Sequence, residues 1–390
     1  MDKARDKIIR NMLAERGVGA VLLWRPEELV MATGYLPLWG ASVCLYPATG
    51  DPVIYIPELE PTDLLPSGFR YKTFPWGNIE CPDPWEILYK SIEADLVESG
   101  IDDKSISFVE ASCRSSLPVI SAEWIPMPLN FTTKLKRLAK GGYAAITDDI
   151  LRLFLYKTTS EIAHITLANK IGQIGIQTFY DNLIQGKTEA EVACAVETAV
   201  HSQTGKEAIK YAKAWAYIMS GINSSYGGRY ARSSGKKLVN GDLVMIEMAV
   251  CVNGYWCDIT RTGRVAHVSA LQQKIYDVVK EAHLLALDLI KPGVEAKMVD
   301  SKVRAFISQK GYGAYFTHAL GHHVGFRYHD PGQGFSPDSN LTLSQGMVLT
   351  VEPGIYIPEH HAGVRIENNI LITSDGYKIL SDYSIEIDGK

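Results

Sequence analysis

The sequence has few of the features that mark membrane-spanning, secreted or nucleic-acid-binding proteins. Its apolar runs all fall short of the roughly 20 residues that a membrane-spanning helix needs. The N-terminal segment MDKARDKIIRNMLAERG has a charged amphipathic pattern and lacks the apolar stretch of a secretory signal. Acidic residues outnumber basic ones by 44 to 39, a net charge of −5, whereas nucleic-acid partners need a basic face. We therefore expect neither a membrane nor a nucleic acid as a partner.

Cysteine is also scarce. The chain has six in 390 residues, and no two form a Cys-x-x-Cys pair. Such a content is not typical of a disulfide framework, so we expect a cytoplasmic protein with reduced thiols. Cys251 and Cys257 lie close together in the sequence, which leaves a disulfide or a metal-binding pair open. Buried structural thiols are the commoner alternative.

The first part of the chain alternates strands with helices. A buried strand, VGAVLLW, is followed by a helix that ends at Gly34, and ASVCLYP and DPVIYIP form a strand pair. The helix PDPWEILYKSIEADLVESG and the strand SISFVEA complete the pattern. Alternation of this kind indicates an α/β layer domain. Residues 1–140 contain no catalytic constellation.

The second part has a different pattern. A break at Lys157-Thr158-Thr159 predicts a domain boundary, with an N-terminal domain over 1–157 and a catalytic domain over 158–390. Helices are predicted over 161–184, from a capping box at Thr188 to about 203, over 269–291 and over 296–310. Each helix pair precedes antiparallel strands, so the fold class is α+β.

Residues 241–262, GDLVMIEMAVCVNGYWCDITRT, read as two strands joined at Asn253-Gly254. A two-residue turn there places Glu247 opposite Thr260. Asp258 then lies on the same face, because residues two apart in a strand share a face. The two carboxylates become diagonal neighbours, and a cation between them would remove their repulsion. The alternative is an exposed hairpin whose acids face water.

Three further segments favour the cation. HALGHHVGFRYHD, residues 318–330, is dense in histidine, while Glu352 and Glu367 are predicted to lie inside the apolar strands LTVEPGIYIP and GVRIENNILI. A lone acid inside an apolar strand is unfavourable unless it is paired or coordinated. Carboxylates with one or two imidazoles suit two divalent ions such as manganese, cobalt, zinc or iron.

The order of these motifs resembles the pita-bread hydrolases. An acid is followed by Asp-Ile-Thr-Arg-Thr, His-x-x-Gly-His, Glu-Pro-Gly and Arg-Ile-Glu over essentially the whole chain. The two-domain layout is most similar to the branch that contains aminopeptidase P, prolidase and creatinase. That branch has a C-terminal pita-bread domain behind an N-terminal α/β creatinase-like domain.

The resemblance implies a site, residue by residue. The family's metal ligands fall on Glu247, Asp258, His322, Glu352 and Glu367. Histidines that assist substrate binding and proton transfer fall on His318 and His329. The arginine that orients the nearby glutamate or the substrate falls on Arg365. The resemblance implies two divalent ions, with manganese as the first expectation and zinc, cobalt or iron as alternatives.

The sequence departs from the family pattern at three places. Glu247 replaces an aspartate, and its extra methylene moves the oxygens by about 1.3–1.5 Å, although carboxylate–metal distances vary by only a few tenths of an ångström. The segment 219–238 lacks the family's histidine and carries Tyr226 and Arg229, which leaves either a surface loop or a pocket for an anionic group. Ala319 follows His318 where the family often has glycine.

The family activity that we expect is hydrolysis of a small peptide, an Xaa-Pro aminopeptidase or dipeptidase reaction, by a metal-bound hydroxide. Glu352 would carry the proton to the leaving amine. A homodimer is expected, and Trp39 of TGYLPLWG is a candidate to reach the partner's cleft or else an ordinary packing residue. Two alternatives stay open: a metal-independent hydrolase of small C–N compounds, like creatinase or ectoine hydrolase, and a non-catalytic binding module.

Overall fold

The computed structural model describes residues 1–76, 81, 83–110, 129–226 and 232–390. Contacts within the chain divide it into two units, Met1–Thr158 and Thr159–Lys390. Within the described ranges, no helix combines the length and the apolar character needed to cross a membrane.

The N-terminal unit is built on one five-stranded sheet with the order β4-β3-β2-β1-β5. The strands are β1 (Val18–Leu23), β2 (Val43–Pro47), β3 (Val53–Pro57), β4 (Arg70–Phe74) and β5 (Ser105–Phe108). The helices are α1 (Lys3–Glu15), α2 (Pro26–Thr33), α3 (Pro84–Glu98), α4 (Leu129–Leu135) and α5 (Thr147–Arg152). Helix α2 starts with proline at its first position and ends at Gly34, whose φ of 76° suits glycine.

In the described part of the C-terminal unit, four helices combine with three small sheets. The helices are α6 (Thr159–Asp181), α7 (Glu189–His201), α8 (Ala270–Leu289) and α9 (Ala296–Gln309). The strands are β6 (Ala212–Ser220), β7 (Leu243–Val252), β8 (Tyr255–Arg264), β9 (Val348–Val351), β10 (Gly354–Ile357), β11 (Ala362–Arg365), β12 (Asn368–Ile372) and β13 (Tyr377–Ile379). The sheet orders are β6-β7-β8, β10-β11 and β13-β12-β9. The predicted α+β class is confirmed.

Two apolar cores in this unit leave one face of the β7–β8 hairpin for polar groups. Helices α6 and α7 pack on the face that carries Met248 and Ile259. Helices α8 and α9 share a second core with residues of β9 to β12, among them Ile355 and Ile370. The opposite face of the hairpin carries Glu247, because side chains alternate along a strand. Cys251 and Cys257 are both free, buried thiols, so the alternative of a disulfide between them is wrong.

Glu352 and Glu367 do not lie inside continuous strands, so that prediction is wrong. Glu352 follows β9 and precedes β10, while Glu367 follows β11 and precedes β12. The chain changes sheet at both points, and Pro353, which has no N–H to donate, accompanies the first break. The freed amides bond elsewhere: Glu352 N donates to Leu320 O over 2.8 Å and Glu367 N donates to Thr260 O over 3.1 Å. These bonds fix the backbone from which both carboxylates project.

Candidate metal centre

The β7–β8 hairpin has the predicted register. Asn253 and Gly254 form its two-residue turn with φ values of 52° and 92°. Glu247 pairs with Thr260, and Asp258 pairs with Ala249. The two acids are only 4% and 1% exposed, so the alternative of a hairpin whose acids face water is wrong.

All five predicted ligand side chains lie together. His322 Nε2 is 3.2 Å from Asp258 Oδ2 and 3.5 Å from Glu352 Oε1. Among the described residues, three sets of three ligating atoms lie within 4.8 Å of one another: His322 with Glu352 and Glu367, Glu247 with Asp258 and Glu367, and Asp258 with His322 and His329. Three separate parts of the chain therefore converge on one point: the β7–β8 hairpin, the histidine segment and the two sheet junctions.

Asp258 and Glu367 carry unused acceptor atoms. Asp258 Oδ1 and Glu367 Oε1 are buried, and neither has a hydrogen-bond partner among the described residues. Burial, together with the charges of neighbouring carboxylates, raises the pKa of both groups well above the usual values. A buried carboxylate oxygen without a donor is unfavourable, and a divalent cation is the partner that would satisfy it. The donor set of carboxylates and imidazole fits manganese, iron, cobalt or zinc.

The imidazole of His322 is oriented for such a role. Its Nδ1 lies 2.9 Å from the carbonyl oxygen of His323, which can only accept, so the proton is on Nδ1. The lone pair of Nε2 therefore faces the carboxylates of Asp258 and Glu352. Thr350 supports the same arrangement, because its hydroxyl accepts from His322 N over 3.0 Å and lies 3.2 Å from Glu352 Oε1.

Glu247 is in a different state from the other acids. Its Oε1 accepts a hydrogen bond from Tyr328, and its Oε2 accepts from Thr260 and Arg365. Burial opposes ionisation of Glu247, but the Arg365 guanidinium and these hydrogen bonds outweigh it and hold the pKa of Glu247 below its usual range. The carboxylate is therefore ionised, and it is neutralised from within the protein.

The two other predicted histidines differ in how they are engaged. His318 Nδ1 lies 2.8 Å from Ala319 O, and its Nε2 lies 2.8 Å from Tyr356 Oη. Arg365 donates to Tyr356 Oη over 3.1 Å, so the tyrosine proton is directed to His318. His329 lies with its ring 4.2 Å from that of His322, and its Nδ1 is buried without a hydrogen-bond partner in the described chain. Burial lowers the pKa of both histidines, so both are neutral near pH 7.

The remaining predicted residues are Arg365, Tyr226, Arg229 and Trp39. Arg365 is 3% exposed and lies in the centre, where it donates to Glu247, whereas Tyr226 is half-buried beyond the 3₁₀ turn Gly221–Asn223. Arg229 lies outside the described residues. Trp39 belongs to the N-terminal unit, where its side chain is 54% exposed and its amide donates to Glu60 over 2.7 Å.

Sequence reasoning missed Tyr328 and Glu189. Tyr328 precedes His329 in the histidine-rich motif. The available signal was its hydroxyl, which needs a hydrogen-bond partner if the tyrosine is buried. Glu189 is completely buried at the start of α7 and accepts hydrogen bonds from three residues at or beyond the end of β6. These donors are Ser220, Asn223 and Ser234. It therefore holds the segment that carries Tyr226.

Known proteins resemble this chain in sequence over much or nearly all of its length. A model of metallopeptidase family M24 matches residues 163–374. The Xaa-Pro dipeptidases of Pyrococcus horikoshii and Pyrococcus furiosus are 32% and 33% identical to the chain, each match covering 99% of this chain and 100% of the relative.

Solved structures are also similar to this chain over almost its whole length. The prolidase from Pyrococcus horikoshii OT3 matches with a TM-score of 0.79 at 30% identity over 99% of this chain and 100% of that one. The X-Pro aminopeptidase from Thermotoga maritima has the same fold, with a TM-score of 0.80 at 23% identity over 98% of each chain. The predicted α+β architecture with a pita-bread catalytic domain is confirmed. The chain belongs to metallopeptidase family M24.

Proposed function

We propose that the protein is a metal-dependent Xaa-Pro dipeptidase. The observation that carries the proposal is that His322 lies 3.2 Å from Asp258 and groups with Glu352 and Glu367, while a buried oxygen of Asp258 and one of Glu367 have no donor in the described chain. The names of the Pyrococcus relatives support the substrate class, because their matches span both chains almost completely. An Xaa-Pro aminopeptidase is the nearest variant of the same activity.

Asp258, His322, Glu352 and Glu367 are the residues that would hold a divalent ion, with Glu247 beside them. We propose manganese, with zinc, cobalt or iron as alternatives. Such an ion would supply a bound water of lowered pKa and a positive charge beside the scissile carbonyl.

We assign proton transfer, positioning and hydrogen bonding to the substrate to three other side chains of the site. Glu352 is placed to hold the proton that the leaving amine needs, since its oxygens lie 3.5 Å from His322 Nε2 and 3.8 Å from His318 Nδ1. His318 has both ring nitrogens engaged, so we assign it to positioning through Tyr356. His329 has an unused Nδ1 and is neutral, which suits a hydrogen bond to the substrate.

Substrate binding is assigned to Arg365, Tyr226, Arg229 and Trp39. A dipeptide presents a carboxylate, and an arginine is the side chain that binds a carboxylate bidentately. Arg365 already donates to Glu247 and Tyr356, so Arg229 is the better candidate for the substrate carboxylate. A homodimer in which Trp39 of one protomer approaches the cleft of its partner, in a cytoplasmic setting, completes the proposal.

The proposal is tested by hydrolysis of Xaa-Pro dipeptides and of longer Xaa-Pro peptides after purification without chelator. Turnover that disappears with chelator and returns with Mn²⁺ is expected, together with a preference for dipeptides. His322→Ala should abolish turnover, and His360→Ala, which changes an exposed histidine outside the site, should leave it unchanged. Chelator-resistant hydrolysis of a guanidino or cyclic amidine compound, without peptide turnover, would overturn the proposal in favour of a small-molecule C–N hydrolase.

A further inference from the structure

Resting on the proposed function, we infer that the site binds one divalent cation firmly rather than two. That cation lies among Asp258, His322, Glu352 and Glu367. The second position, beside Glu247, is closed by hydrogen bonds from Tyr328 and Arg365.

The hydrogen bonds of Glu247 carry the first step. Both of its oxygens are occupied, Oε1 by the Tyr328 hydroxyl and Oε2 by the Arg365 guanidinium and Thr260. A carboxylate has about four lone pairs, and these donors use three, so a second cation coordinated by both oxygens would displace at least one donor from a carboxylate that is 4% exposed. The displaced hydroxyl or guanidinium would then be buried without an acceptor, which is unfavourable.

Charge leads to the same conclusion. The four acids of the centre carry −4 when ionised, and Arg365, which donates directly to Glu247, contributes +1. The negative charge of Glu247 is thus neutralised locally, whereas those of Asp258, Glu352 and Glu367 are not. A divalent ion next to Glu247 would lie near the guanidinium, whereas one near His322 would face carboxylates.

Tyr328 is held where it is. Its side chain is fully buried, and its ring lies 4.3 Å from the ring of His329 and 6.2 Å from that of Trp215. The phenol oxygen therefore cannot move away from Glu247 without disturbing the packing around the ring. Glutamate has one more methylene than aspartate, so its carboxylate lies about 1.3–1.5 Å further along the side chain, roughly the length of one C–C bond. Glutamate at 247 and tyrosine at 328 thus act as a pair.

The experiment counts metal ions. The wild-type chain, loaded with Mn²⁺ and dialysed, is analysed for metal per chain by mass spectrometry. Electron paramagnetic resonance then distinguishes isolated Mn²⁺ from a spin-coupled pair. We expect one ion per chain and the spectrum of isolated Mn²⁺. The double variant Glu247→Asp with Tyr328→Phe should bind two and show coupling. Tyr315→Phe, at a half-buried tyrosine outside the centre, should behave like the wild type.

The outcomes separate the two proposals. Two coupled ions in the wild type would overturn this inference and leave the peptidase assignment intact. No bound ion, with no peptide turnover, would overturn the proposed function itself. If the wild type binds one ion and the folded double variant also binds one, then Glu247 and Tyr328 are not what closes the second position. Circular dichroism establishes folding of the double variant, and the wild-type count tests the inference even if that variant fails to fold.

Discussion

Replacement of Glu367 by glutamine should stabilise the metal-free protein while weakening its response to metal. Glu367 shares a buried centre with Asp258, and burial with neighbouring charge raises the pKa of both carboxyls well above the usual values. The native state therefore holds protons that the unfolded chain releases above about pH 4. Stability of the chelated protein should fall as the pH rises from there through the native pKa values. Glutamine removes one of these groups and keeps an acceptor for Thr260.

The magnitude follows from Coulomb's law. The ligating oxygens of Asp258 and Glu367 lie within 4.8 Å of each other, and two ionised carboxylates at that distance repel by about 3.5 kcal/mol at an effective dielectric constant of about 20. Proton uptake relieves part of this repulsion at neutral pH. We therefore expect Glu367→Gln to raise the free energy of unfolding of the chelated protein by about 2 kcal/mol at pH 8. The gain should shrink toward pH 5, because the wild type is then protonated.

Urea denaturation of chelated and Mn²⁺-loaded protein at pH 5, 7 and 8 measures this effect. In the wild type, a metal concentration of 100 times the dissociation constant should add about 2.7 kcal/mol. The variant should gain much less at the same concentration, since one ligand has lost its charge. Destabilisation of the chelated variant at every pH, or an undiminished metal response, would refute the reasoning. Asp375→Asn changes an exposed acid outside the centre and should alter neither quantity.

Three further predictions concern other buried groups. Burial beside Arg261 lowers the pKa of His283 to about 3, so the unfolded state gains a proton as the pH falls below about 6.5. The free energy of unfolding measured in urea should therefore drop by about 2 kcal/mol between pH 6.5 and 5, and His283→Leu should remove this drop. Glu189→Ala deprives several donors of their acceptor and should cost at least about 3 kcal/mol in the same assay. Tyr356→Phe removes the hydroxyl between Arg365 and His318 and should lower kcat/KM for an Xaa-Pro dipeptide about 10- to 100-fold.

Each of these has a matched control. His267→Leu alters an exposed histidine and should keep the wild-type pH dependence. Glu191→Ala removes only an exposed capping box next to Glu189 and should cost about 1 kcal/mol. Tyr312→Phe should leave kcat/KM unchanged. An equal loss for the two glutamates, an unchanged pH slope in His283→Leu, or full activity of Tyr356→Phe would each contradict the corresponding reasoning.

Local patterns were sufficient to predict the hairpin and the four acidic candidate ligands. Asn253-Gly254 specifies a tight turn by backbone preference, and the register with Glu247 and Asp258 follows by counting. The resemblance to a known family supplied the remaining positions. The α+β class followed from the succession of helices and strands, which depends only on nearby residues.

Contacts between residues that are far apart in the sequence could not be predicted from local patterns. The strand breaks at Glu352 and Glu367 depend on which neighbouring strands pair on either side, and an apolar run does not reveal a change of sheet. The bond from Tyr328 to Glu247 joins residues 81 positions apart in the sequence. Glu189 looked like one more residue of a helix N-terminus, because its donors lie 31 to 45 positions further on.

The length of the turn at Asn253-Gly254 determines which side chains of the hairpin face the metal centre. Glu247 faces the metal centre, and its neighbour Met248 belongs to the core beneath the helices. Because β6 also holds β7, adding or deleting a single residue in the turn would shift β8 by one residue against β7, and Asp258 and Ile259 would exchange faces. A change of two residues would instead preserve which side chains face inward. Even and odd changes in loop length should therefore have opposite consequences for metal binding, although neither alters a ligand.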